Sequence, residues 1–555
     1  MNTDEVQRRL WEQSKQHREW KLSSLPLFPV NKYDGRIRNL MDLMHQPDWI
    51  AEAAEKVLRR SKGKAAGVDG VTTELFCQGF EKKLEQLRLE LKRGVYQPQP
   101  VRRVMIPKAN GKMRALGIPC LRDKIVQEAM RMALEPIFEI EFHNNSYGFR
   151  PNRSTHHAVF RCQHFVKLKF AWVIEGDVKA CFDEISHKAI LKAVREKVMD
   201  NKFLKLITSF LKAGIEVDGV IQPTHKGVPQ GGVLSPLLSN AVLNKFDWFM
   251  HSRGKHGQAS QRAWNWGHKN IRFIRYADDW CVFITRASKR FAQGLRDEIS
   301  QFLYAECGLR LSVEKTRITH VSQGFDFLGF RIEKSIGKSG KYVSKIKVTS
   351  TAIAKARTKI DEAMRYRPQQ ESIVCRIQRG SAVARGWSNY FCIAHNFSKV
   401  ANKLDHYAFW SATKAISRKL DISTAKVFRR YCRQNVIQVD KACKLAKFSA
   451  TRMKLYYRNP TGYEPVKAEY LEDHDYEVAT QFFEGRRKGQ FDLKWQALQR
   501  DDYKCQSCDR TVTAKTSNAD HIKPVRNFAS FEQANYIDNV QTLCINCHKE
   551  KTYSK

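Results

Sequence analysis

Through residues 1 to about 60 the chain alternates helix-like patterns with short loops, and SKGKAAGVDGVT (Ser61 to Thr72) then supplies a turn-forming cluster of Gly and Asp. A long mixed region follows to about residue 335. Its apolar, β-branched runs FAWVIEGDV and IRFIRYADDWCVFI read as strands, and they are set between helix-like stretches such as Asp123 to Ala133 and Phe203 to Lys212. From Thr351 to Pro460 the strand signals fade and a helical pattern takes over. The pattern predicts a multidomain α+β protein. No run of 18 apolar residues occurs, so no membrane-spanning helix is expected.

Charge narrows the function. The 555 residues carry 97 Lys plus Arg against 57 Asp plus Glu, a formal net charge of +40. An excess of that size calls for a polyanion, because each phosphate neutralised releases counterions, whereas a small acidic substrate needs only a local cluster. Nucleic acid is the expected partner and a membrane surface the weaker rival. Thr351 to Pro460 alone holds 23 Lys plus Arg and 6 Asp plus Glu, a net of +17, interleaved with Trp387, Tyr390, Phe391, Tyr407, Phe409, Trp410, Tyr456 and Tyr457. Basic residues mixed with aromatics suit a phosphate backbone with stacked bases, although a solvated helical face would show the same charges. The sign then flips: Glu464, Glu469, Glu472, Asp473, Asp475 and Glu477 surround a single Lys467, which marks a linker. Ten of the 14 cysteines are scattered singly and four crowd into two C-terminal pairs, the usage of a reduced chain with one metal site. The N-terminus carries charges of both signs and resembles neither a secretory signal nor a transit peptide, so a cytoplasmic location is expected.

The candidate chemistry begins at Tyr276-Ala277-Asp278-Asp279, flanked on both sides by strand-like residues. Two adjacent carboxylates on a hairpin turn can hold a divalent cation, although Asp-Asp is also ordinary turn chemistry. A second strand-like run ends in Asp177. Two-metal phosphoryl transfer needs carboxylates gathered from different strands, and Asp177, Asp278 and Asp279 meet that need, with Asp183 as the competing acid in its run. Between them HKGVPQGGVLSPLLSNAVL (His225 to Leu243) reads as a Gly and Pro loop leading into an apolar helix, with Gln230 available to a templating nucleotide. Upstream, Lys108, Lys112 and Arg114 surround an Asn-Gly turn, a basic hairpin suited to a triphosphate.

Taken in order, IPKANGKMRALGIP, SYGFRPNRST, EGDVKACFDEI, GVPQGGVLSPLLSN, RYADD, GLRLSVEKT and FDFLGF closely resemble the successive reverse-transcriptase blocks of group II intron-encoded proteins, or maturases. The resemblance runs from about Gly67 to Phe330, and RGSAVARGWSNYF (Arg379 to Phe391) is similar to the thumb, or X, domain signature of that family. It implies right-hand polymerase fingers and palm over 61–335, an N-terminal extension over 1–60, an α-helical thumb over 336–415, and a basic DNA-binding segment with the acidic linker over 416–481. It also implies Mg²⁺ on Asp177, Asp278 and Asp279, triphosphate contacts from Lys108 and Arg114, and a template or nucleotide contact from Gln230. Phe182, five residues after Asp177, matches the bulky residue that screens the sugar 2′ position and so favours deoxynucleotides. Ala115, Lys124 and Asn152 depart from the residues usual in the family, Pro, Arg and Gly.

Near the C-terminus Cys505-Gln-Ser-Cys508 and Cys544-Ile-Asn-Cys547 can close a tetrahedral structural Zn²⁺ site. Asp520-His521, Asn539 and His548 follow the order of an HNH nuclease over about Gly489 to Lys551, which makes 482–555 a small zinc-stapled ββα-metal domain. That resemblance gives His521 as general base, Asn539 as the residue orienting base or metal, and Asp520 and His548 as ligands of a second divalent cation, with Mg²⁺ expected there. Asp520 stands where many relatives have His.

The whole implies a mobile retroelement protein of bacterial, nucleoid-associated ribonucleoprotein character. It would bind group II intron RNA to assist splicing, nick target DNA, and extend the nick with deoxynucleoside triphosphates. The alternatives are an RNA-binding splicing cofactor with weak or unused catalytic activities, and an RNA-templated RNA polymerase, which Phe182 opposes.

Overall fold

The computed structural model describes residues 3–23, 36–107, 111, 113–168, 170–254, 270–285, 287–312, 315–336, 340, 342–365, 371–440, 443–454, 497–498, 500–512, 517–522, 537–544, 546–548 and 551. The chain divides into two compact units, Met1–Pro465 and Val466–Lys555. The acidic linker segment, Tyr456 and Tyr457 lie outside the described residues. Among those described, the strands in chain order are β1 (Val101–Pro107), β2 (Met113–Ile118), β3 (Trp172–Asp177), β4 (Ile215–Val217), β5 (Val220–Gln222), β6 (Ile271–Tyr276), β7 (Asp279–Ile284), β8 (Arg317–His320), β9 (Phe325–Phe327), β10 (Phe330–Ile336), β11 (Tyr342–Val348), β12 (Cys432–Arg433), β13 (Val436–Ile437), β14 (Ser517–His521) and β15 (Val540–Cys544). None of the described helices is long and apolar enough to cross a membrane.

The first unit is built round an antiparallel sheet of order β6-β7-β3-β8. Five consecutive residues of β7, Trp280 to Ile284, are buried. A strand facing a core on one side would alternate, so this run requires cover on both faces. Ile174, Val282 and Ile284 join one core, with the helices Leu121–Glu139 and Ser235–Ser252. Val173, Ile274, Cys281 and Phe283 join the other, with the helix Thr155–Lys167 and the sheet β11-β10-β9. A second mixed sheet, β2-β1-β4-β5, carries the basic hairpin.

The helix Leu121–Glu139 is buried on nearly every side, polar residues included. Each needs a partner there. Asp123 accepts from the Tyr96 hydroxyl and the Gln99 amide, Glu128 pairs with Arg131, and Glu139 with the buried Arg150. Gln127 Oε1 accepts from the Val233 amide at 2.8 Å and so ties down the Gly and Pro loop.

Beyond β11 come the helices Ser350–Met364, Ile373–Phe391 and Phe397–Leu420, the first two N-capped by Thr349 and Ser372. The aromatic residues expected to face bases divide here. Trp387 and Phe391 are core residues, the former packed on Phe391, Phe397 and Phe448, because the helix Ile373–Phe391 turns this apolar face inward. Trp410 remains 38% exposed. In the second unit β14 and β15 pair antiparallel, and Leu498, Cys505, Val512, Leu543 and Cys544 form a small core.

Candidate active sites and zinc-type cluster

Pairing of β3 with β7 sets Asp177 opposite Asp279, while Ala277 and Asp278 make the reversal between β6 and β7. Ala277 sits at φ 58°, a left-handed conformation that costs a residue with a Cβ about 1–2 kcal/mol. Arg275 holds it there. Its Nη1 donates to the Ala277 carbonyl at 2.9 Å and to Asn240 Oδ1 at 2.8 Å, and its Nε and Nη2 donate to the Asp247 carboxylate at 2.7 and 2.6 Å. Both members of this ion pair are fully buried. Asn240 in turn donates to the Gly148 carbonyl. A Cβ on Gly148 would lie 2.3 Å from the Ala277 nitrogen, and one on Gly176 would lie 2.0 Å from the Trp280 ring, so only glycine lets these segments close round the turn.

The three carboxylates crowd a half-enclosed space. Burial pushes Asp279 up to about 7, reinforced by the charges of Asp278 and Asp177, and Asp278 is raised for the same reasons. Lys315 is the counter-charge, its Nζ 2.5 Å from Asp177 Oδ2. Carboxylate oxygens that repel one another in this way are of the hard type a divalent cation takes, although among the described residues it is the four cysteines, not these acids, whose ligand atoms all lie within 4.8 Å of one another.

Around this centre Arg114 Nε donates to Gln230 Oε1 at 2.9 Å, and Gln230 Nε2 donates to Asp183 Oδ2 at 2.9 Å. The Gln230 amide is therefore fixed in one orientation between the basic hairpin and the segment after β3. Phe182 is half-buried beside Phe149, ring centroids 6.3 Å apart and edge to face. Lys108 lies outside the described residues, as does Lys112.

In the second unit the ligand sulfurs of Cys505, Cys508, Cys544 and Cys547 lie within 4.8 Å of one another. Burial opposes ionisation of Cys505, but backbone N–H groups of Cys544, Ser507 and Cys508 outweigh it and pull the thiol down to about 6. Four sulfurs gathered in this way fit a tetrahedral metal. On the second unit's strand pair Asp520 pairs with Gln541 and His521 with Val540, and the backbone carbonyl of the buried Asn539 accepts from the Ile522 backbone N–H at 2.8 Å. His548 Nε2 approaches Asp520 Oδ1 at 4.0 Å, and Asp520 Oδ2 accepts from Gln541 and Lys551. Asp520, Asn539 and His548 thus gather at one end of the strand pair with the backbone of His521, whose side chain lies outside the described residues.

Three family models match in chain order: "Reverse transcriptase (RNA-dependent DNA polymerase)" over residues 106–332, "Group II intron, maturase-specific domain" over 353–432, and "HNH endonuclease" over 505–554. Protein YkfC of Escherichia coli K12 is 42% identical over 341 residues, covering 57% of this chain and 87% of that protein. The group II intron-encoded protein LtrA of Lactococcus lactis is 35% identical over 334 residues, 50% of this chain and 55% of LtrA. The chain belongs to the group II intron-encoded protein family. The putative COX1/OXI3 intron 2 protein of Saccharomyces cerevisiae is a more distant relative, 25% identical over 71% of this chain and 54% of its own length, so the chain spans about half of LtrA and of the yeast protein.

This group II intron-encoded protein carries, in chain order, a reverse transcriptase domain, a maturase-specific domain and an HNH endonuclease domain. Sequence reasoning passed over three residues beside its carboxylates. Lys315 and Arg275 lay inside quoted motifs, GLRLSVEKT and RYADD, where a basic residue near acids was the available signal. Asp247 lay unmarked in an apolar helix, where a lone carboxylate is itself the anomaly.

Proposed function

We propose that the chain copies group II intron RNA into DNA from a primer that its own nuclease makes, and that it binds the unspliced intron RNA to assist splicing. The observation that carries this reading is the register of β3 against β7, which sets Asp177 opposite Asp279, with Asp278 in the adjoining β6–β7 turn. In this assignment these residues hold two Mg²⁺ ions, which when bound activate a primer 3′-hydroxyl and stabilise the leaving pyrophosphate. Arg114 and Lys108 bind the triphosphate of an incoming deoxynucleotide. Gln230, oriented by Arg114 and Asp183, contacts the template or incoming nucleotide, and Phe182 closes the space a ribose 2′-hydroxyl would need.

Residues 61–335 form fingers and palm, 1–60 the N-terminal extension, 336–415 the thumb, 416–481 the DNA-binding segment and linker, and 482–555 the nuclease. In the nuclease the four cysteines bind Zn²⁺ as a structural staple. Asp520 and His548 hold a divalent cation at the scissile phosphate, His521 activates water, and Asn539 orients the base or metal. The partners are intron RNA and target DNA, in a nucleoid-associated ribonucleoprotein.

Primer extension tests the assignment, with purified protein, Mg²⁺, an RNA template, a DNA primer and labelled deoxynucleotides. The native chain extends the primer and the Asp278→Ala, Asp279→Ala double variant does not, while RNA binding stays near normal in both. Synthesis by the double variant discards the metal assignment. Absence of synthesis from both, with RNA still bound, moves the reading to a splicing cofactor without polymerase activity.

A further inference from the structure

We propose that the maturase-specific domain holds a pocket for one unpaired nucleotide of single-stranded RNA, with its base on Trp410 and its phosphates among Arg365, Lys414 and Arg418. The inference rests on the RNA-binding part of the proposed function and names where, and in what form, RNA is read. A cavity of about 700 Å³ opens between the helices Ser350–Met364, Ile373–Phe391 and Phe397–Leu420. That volume lies within the range of small-ligand sites. Along the third helix Tyr407, Trp410, Ser411, Lys414 and Arg418 fall at spacings of three and four, so they share one stripe facing the cavity.

The electrostatics ask for an anion. Five cationic side chains line the cavity, Arg365, Arg376, Lys414, Arg418 and Lys419, against the single carboxylate of Asp361. Asp361 is already engaged, accepting from the Tyr407 hydroxyl at 2.6 Å and the Ser411 hydroxyl at 3.0 Å, bonds that also fix the wall. Arg376 is buried, and the nearby Glu371, 3.9 Å away, is shared with Arg379. One acid between two guanidiniums leaves the surplus positive.

The aromatic content asks for a flat ligand. The Trp410 indole is propped by Phe409 at 5.7 Å, interplanar angle 88°, and by Phe428 at 5.8 Å, so its orientation is set before anything binds. It is 38% exposed. A free inorganic anion would use the cations and waste the indole, and an apolar peptide would use the indole and strand the cations. An unstacked base with its phosphates uses both, and single-stranded segments are where proteins read RNA by stacking.

The test uses the full-length protein with its polymerase cleft filled by a chain-terminated RNA template and DNA primer. The probe is a fluorescein-labelled 12-nucleotide oligouridylate, intact or with abasic sites, and the readout is anisotropy over a salt series. Trp410→Ala weakens binding of the intact probe about 5- to 140-fold, the worth of one stacked base. The abasic probe binds the native chain and Trp410→Ala equally, and Trp410→Phe keeps most of the affinity for the intact probe. Lys414→Ala and Arg418→Ala each flatten the salt slope by about 0.7. Trp410→Ala within twofold of the native chain overturns the pocket, as does a loss confined to the two cation variants, which describes a basic surface only. An equal effect on oligodeoxyuridylate makes it a DNA site and overturns the assignment to RNA. If the native chain neither binds RNA nor extends a primer, the proposed function itself fails. If it does both and Trp410→Ala is silent, the pocket alone is lost.

Discussion

The buried pair of Arg275 and Asp247 separates stability from positioning in a way that can be measured. Arg275→Met leaves the Asp247 carboxylate uncompensated in the core, and Asp247→Leu does the same to the guanidinium. Both partners are fully buried, so each single variant is expected to lose about 3–5 kcal/mol. In the double variant no charge remains buried. What persists is the loss of the bonds to Asn240 and Ala277, about 1–3 kcal/mol each, so the double variant loses well under the sum of the singles. Synthesis follows another rule. The Ala277 carbonyl has lost the donor that held a left-handed residue beside Asp278, and a displacement of about 1 Å at the proposed metal ligands costs on the order of 100-fold. The double variant is therefore no less stable than either single, yet slow. Urea unfolding gives the first quantity, and single-turnover primer extension at saturating deoxynucleotide gives the second. Full recovery of synthesis in the double variant would show that Arg275 serves stability alone, and singles costing under about 1 kcal/mol would refute the burial argument.

Phe182→Ala is expected to raise the ratio of ribonucleotide to deoxynucleotide incorporation by about 10- to 100-fold, read from kcat/KM for each, and an unchanged ratio removes Phe182 from the sugar pocket. Cys544→Ser, or a zinc-selective chelator in the presence of excess Mg²⁺, is expected to abolish DNA nicking and leave primer extension intact, since the four sulfurs lie in the second compact unit. Loss of both activities together would contradict that independence. Burial raises Asp123 from 3.8 to about 6, so the folded chain prefers its neutral form. The stability this group contributes is present at low pH and is lost as pH rises through about 6, on the order of 3 kcal/mol in all. Asp123→Asn should therefore gain on the native chain between pH 5 and 7.5 in urea midpoints, and parallel curves would contradict the shift.

Sequence carried β3, β6 and β7 of the central sheet because their apolar runs are long, while the short, polar β8 (Arg317–His320) gave no such signal. It carried the acid residues because carboxylates at the ends of such runs have no reason to lie in a core. The aromatic stripe of residues 387–410 was less legible. Trp387 and Trp410 sit in equally basic surroundings, yet one is packed among Phe391, Phe397 and Phe448 while the other lines a cavity. Composition cannot separate them, because the difference is set by which face of each helix meets its neighbours.

The same limit explains what was missed at the carboxylates. A hairpin turn with adjacent Asp residues is a local feature and can be read locally. The groups that make it usable come from far along the chain: Gly148 beneath Ala277, Asn240 and Asp247 on one helix, and Lys315 against Asp177. Apart from Asp247, a lone carboxylate in an apolar helix, each looks ordinary where it stands. Their meaning appears only when the sheet brings them within hydrogen-bond reach of a strained residue and of acids that repel one another. Lys315 makes the point most directly. Its ammonium partners Asp177, so a divalent cation entering the site competes with a charge the protein already supplies. The acids of the proposed site were legible because they violate the pattern of their strands, whereas the cations that balance them obey the pattern of a basic surface.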